Sequence, residues 1–103
     1  MAYKQDTETH QQIFFMTIKN NPSRRLGRLF NHARNHQNLS LFEISKKIDV
    51  AIQKLISIEE ARMQFYDANL DEALIIVKTY AQFLDVDAQS LIHDISKKNR
   101  GLI

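Results

Sequence analysis

The chain reads as an all-α domain, a five-helix bundle with a helix-turn-helix, preceded by an N-terminal arm that is either helical or strand-like. Three observations predict this class. Apolar residues between 23 and 97 recur at the three- and four-residue spacings of a helix face rather than in alternation. Only two glycines and one proline occur in 103 residues, too few for a sheet protein rich in tight turns. No cysteine is present, which excludes disulfides and thiolate metal sites and suits a reducing compartment. The length fits one domain with a modest core. The longest apolar runs, 13–16 and 73–77, fall far short of a membrane span, and Asp6 and Glu8 argue against a secretory leader. The expected location is cytoplasmic.

The elements follow in order. Residues 1–22 form the arm. Asp6 or Thr7 can cap a helix that runs to about Lys19 and stops at Asn20-Asn21-Pro22, or Gln12–Ile18 can form a short strand. A strand would leave backbone groups unpaired unless a second copy supplied the neighbour, so the arm is also a dimerisation candidate. The domain proper spans 23–97. Ser23 is placed to cap a first helix, Arg24 to about His36, with Leu26, Leu29, Phe30 and Ala33 inward and Asn38 as a left-handed terminator. Ser40 and Glu43 form an S-x-x-E capping box for a second helix, with Leu41, Ile44, Ser45 and Ile48 on one face. Asp49 breaks it. Val50, Leu55 and Ile58 make the inward stripe of a third helix, Ala51 to Glu60, completing a helix-turn-helix at 40–60. Residues 60–69 read as a loop or ragged helix end. Asn69 and Glu72 start a strong helix, Leu70 to Leu84; Asp87 caps a last one, Ala88 to about Lys97; residues 98–103 are a polar tail.

Charge is uneven. The net charge is +2, yet residues 19–54 carry eight basic and two acidic groups, and residues 59–103 carry five basic and eight acidic ones. The basic half coincides with the helix-turn-helix, and such a face favours phosphate backbones through counterion release. Other constellations have blander explanations. His32 and His36 have the spacing of a two-histidine metal site, but the sequence promises no third ligand, so no metal is expected. Asp85 and Asp87 are explained by turn formation and capping. No nucleophile motif or glycine-rich phosphate loop occurs, and neither a cofactor nor enzymatic activity is expected.

Residues 26–60 resemble the Cro/phage-repressor (XRE-type) helix-turn-helix family, and within it the cytoplasmic domain of RodZ-type bacterial shape proteins. The family's opening L-G-x-x-L-x-x-A-R is met by Leu26, Gly27, Phe30, Ala33 and Arg34. Its G-L-S-L-E-E-L-A is met by Asn38-Leu39-Ser40-Leu41-Phe42-Glu43-Ile44-Ser45. Its I-x-x-x-x-L-x-x-I-E-E-G is met by Val50, Leu55, Ile58, Glu59, Glu60 and Ala61, and its Y-A-x-x-L-G-L-D by Tyr80 to Asp87. The resemblance implies a salt bridge between Arg34 and Glu59. It also implies that Leu41, Ala51, Ile52, Gln53 and Ile56 face the major groove of double-stranded DNA. Gln53 is then the base reader, suited to adenine, with Ile52 and Leu41 on thymine methyls. Lys46, Lys47, Lys54, Arg25 and Arg28, with Ser57, are candidates for the phosphates. A homodimer is expected, because one short helix reads few base pairs. Ile52 and Ile56, one helical turn apart, would form an exposed apolar strip beside Phe42 that suits protein contact, and the RodZ-type resemblance implies the same use, docking a protein partner; Phe65 and Tyr66 either join it as an exposed aromatic pair or simply cap the core. There the family's L-P-x-x-x-Y-x-x-G-F-L segment is replaced by Tyr66 to Val77, with neither its proline nor its glycine, and Glu72 stands at the aromatic docking position.

Overall fold

The computed structural model describes residues 21–99. The expectations for the arm at 1–20 and for the last four residues lie outside them. The described residues are helical with no strand, so the all-α class holds.

The first helix, α1, spans Pro22–His36. Its cap is Asn21 rather than Ser23: the Asn21 side chain accepts the Arg24 N–H at 3.2 Å. Pro22 at the first helical position explains this, since its fixed φ suits that position and the missing N–H costs nothing there. Ser23 instead lies buried in the first turn, donating to Asn21 Oδ1 at 2.7 Å and reaching Met63 Sδ at 3.7 Å. Helix α2, Leu41–Ile48, starts at Ser40, where both arms of the capping box form. Helix α3, Ile52–Glu59, follows after three residues. Residues 60–69 are not a loop: Met63–Ala68 is a short helix, α4. It raises the expected five helices to six among the described residues. Helix α5, Leu70–Leu84, is capped by Asn69, and α6 runs Gln89–Asn99, two residues past its expected end and into the supposed tail. Asp87 Oδ1 accepts the Gln89 N–H ahead of α6.

Helix α1 is the hub. It packs chiefly on α3 and α6, with a smaller contact to α5; α5 in turn touches α2, α4 and α6. Leu26, Phe30, Ile44, Leu55, Ile58, Tyr66, Val77, Tyr80, Leu84 and Ile95 fill the core. Each such aliphatic side chain contributes roughly 1.5–3 kcal/mol on burial. The Phe30 and Tyr80 rings meet at 4.6 Å, tilted by 57°, an arrangement the ring quadrupoles favour. At Gly27 the approach of α1 to α3 leaves no room for a side chain: a Cβ there would lie 2.5 Å from the Glu59 carbonyl oxygen and 2.7 Å from that of Ile58. Four turns use left-handed residues that are not glycine, Asn38, Asp49, Ala61 and Asp85. Asn and Asp tolerate that region; alanine is strained there by roughly 1–2 kcal/mol.

Candidate nucleic-acid interface

The turn between α2 and α3 is fixed by Ser45. Its backbone carbonyl accepts from the Asp49 and Val50 amides, and its hydroxyl donates to the Val50 carbonyl at 2.6 Å. Asp49 takes the left-handed conformation that turns the chain (φ 56°, ψ 49°). Helix α3 then buries Leu55 and Ile58 and leaves Gln53 exposed. At its start Ala51, also exposed, provides no side-chain cap.

The far end of α3 is held by a buried carboxylate. Glu59 keeps only 6% of its side chain exposed. Arg34 grips it through two nitrogens, Nε at 2.7 Å and Nη2 at 2.9 Å, while Nη1 donates to the Leu39 carbonyl at 3.0 Å. Asn31 Nδ2 adds a bond at 2.9 Å and the Tyr80 hydroxyl another. Burial pushes the Glu59 carboxyl up, but the bonds from Arg34, Tyr80 and Asn31 outweigh it and hold the group below its ordinary range. The same carboxylate, together with burial, pushes the Tyr80 hydroxyl upward. Glu59 therefore fastens α3 to α1 and α5. The shares of Asn31 and Tyr80 are not foreseen, since the resemblance points only to Arg34 as the partner of Glu59.

The remaining candidates divide. Phe42 is 59% exposed, with the Lys46 ammonium 4.5 Å above its ring centroid, a cation–π contact. Lys46 and Lys47 are exposed on the last turn of α2, and Arg25 and Arg28 are exposed on α1. The two arginines flank a shallow groove that also holds His32 and Leu91. Leu41 is half-buried and packs on the core. Ile52 and Ile56 are half-buried rather than bare, yet the apolar side chains packed on the core do not include them. Two of the candidate phosphate ligands have partners within the chain. Lys54 is not an open phosphate ligand: its Nζ lies 2.6 Å from Glu72 Oε1. The Ser57 hydroxyl donates back to the Gln53 carbonyl at 2.9 Å, one turn earlier in its own helix. Of the two alternatives for Phe65 and Tyr66, the structure shows the second, capping the core, and not an exposed pair. Tyr66 is fully buried, Phe65 packs on the core beside it, and their rings meet edge-on at 5.1 Å because α4 must cover the bundle.

His32 and His36 stack at 6.3 Å, and among the described residues no group of three metal-ligating side chains gathers. Another concavity, between α5 and α6, is lined by Leu74, Ile75 and Ile92 with polar neighbours and contains none of the sequence-predicted site residues. No described helix is long and apolar enough to cross a membrane. No family model matches the chain, and neither the curated proteins nor the solved structures contain a match to it.

Proposed function

We propose that this domain binds double-stranded DNA, presenting α3 to the major groove as the second helix of a helix-turn-helix, and that it serves as a transcriptional regulator. The observation that carries the reading is the disposition of α3. Its inner residues are fastened to the bundle at Leu55, Ile58 and Glu59, while Gln53 stands exposed near its N-terminal end. A side-chain amide there can donate to and accept from adenine. The exposed Lys46 and Lys47 at the end of the preceding helix, with Arg25 and Arg28 on α1, supply cations for the backbone. Two copies would double the bases read, with half-sites about one helical turn apart. Selection of bound duplexes from a random pool tests this. The expected outcome is a short enriched sequence whose preference relaxes at one base in Gln53→Ala. A pool without enrichment at low salt refutes it.

The exposure of Phe42 on α2 favours a second reading, in which this residue docks a protein. That reading predicts no enrichment, with loss of partner binding in Phe42→Ser.

A further inference from the structure

Lys54 is the sole cation in α3, and its counter-ion belongs to another helix. Glu72 sits in the first turn of α5, its backbone N–H bonded to the capping Asn69 at 3.1 Å. The positive end of α5 favours a carboxylate at that position, whatever Lys54 does. The two side chains are 44% and 51% exposed. An ion pair in such a wet setting is weak and exchangeable, unlike the buried one at Glu59. A phosphate approaching Lys54 meets the Glu72 carboxylate 2.6 Å from the ammonium.

We infer that Glu72 is an affinity-setting residue of the proposed DNA surface: it holds Lys54 away from the phosphate backbone and thereby mutes sequence-independent binding. The inference rests on the DNA-binding reading. It makes discrimination between sequences depend more on Gln53, because the phosphate contribution common to every duplex is reduced. The geometry is local to one pair, so its effect must run through Lys54 and not through overall charge.

The test measures anisotropy of a labelled 20-base-pair duplex of mixed sequence across a sodium chloride series, with wild type, Glu72→Gln, Lys54→Ala and the double variant. Glu72→Gln is expected to tighten binding by about two- to fivefold at 0.1 M salt, the range an exposed ion pair can hold back, and to steepen the salt slope by up to the roughly 0.9 counterion of one phosphate contact. Lys54→Ala alone is expected to change affinity by less than about twofold, since Glu72 already occupies the ammonium, and in the double variant it removes the gain. Wild type binding with Glu72→Gln unchanged overturns the inference and leaves the DNA reading standing. A double variant that keeps the whole gain also overturns it, because Glu72 then acts through net charge. If neither wild type nor Glu72→Gln binds at the lowest salt, the DNA reading falls and takes the inference with it.

Discussion

Replacing Arg34 by methionine isolates the role of the buried carboxylate. Methionine keeps much of the aliphatic stem, so the change removes charge and hydrogen bonds more than packing. Glu59 receives four hydrogen bonds, of which Arg34 donates two. Removing one partner of a fully buried pair costs roughly 3–5 kcal/mol. Here Asn31 and Tyr80 remain as donors, and Arg34 keeps 14% of its side chain exposed, so water can partly replace it. The expected loss at pH 7 is therefore about 2–4 kcal/mol. With an m value near 1.3 kcal/mol/M, the urea midpoint followed by circular dichroism at 222 nm falls by about 2 M. The pH dependence has a definite sign. The wild-type Glu59 carboxyl lies below its ordinary range, so its contribution is complete above the unfolded-state pKa and is lost as pH falls toward the folded one. Without Arg34, burial pushes the carboxyl up and protonation relieves the variant. The gap between the two proteins should then shrink between pH 7 and pH 4. A loss under about 0.5 kcal/mol at pH 7, or a gap that widens in acid, would refute the reasoning.

Two further substitutions probe the backbone. Gly27→Ala forces a Cβ against two carbonyl oxygens of α3. Overpacking less the helix-propensity gain gives a net loss of about 2 kcal/mol, or roughly 10 °C in thermal melting, and an unchanged melt would mean the helices do not approach so closely. Ala61→Gly removes the strain of a left-handed alanine at φ 55° and should stabilise the domain by about 0.5–1 kcal/mol, read from the same urea titration. A loss there would show that the turn carries no strain.

The parts of the fold legible in the sequence are those fixed by neighbours in the chain. The Ser40–Glu43 box, the Asn69 cap and the left-handed Asn38 and Asp49 involve residues at most a few positions apart, and local chemistry is enough to place them. The cap at Asn21 was also within reach, since a proline at the first helical position points to the residue before it. Helix α4 was not. It has six residues, no side-chain cap and too little length for a period, and it forms because Tyr66 and Phe65 find the bundle beneath them. At the candidate site, a resemblance in spacing was enough to suggest Arg34 with Glu59. The pairing of Lys54 with Glu72 spans 18 residues and two helices and depends on how α5 is set against α3, which no linear pattern encodes.

The two ends of α3 are secured very unequally. At Glu59 a carboxylate is clamped to two other helices, while Ala51 offers the opposite end no side-chain cap. The exposed Gln53 can therefore be exchanged for another polar residue without disturbing the anchorage, whereas a change at Glu59 is felt by three helices at once.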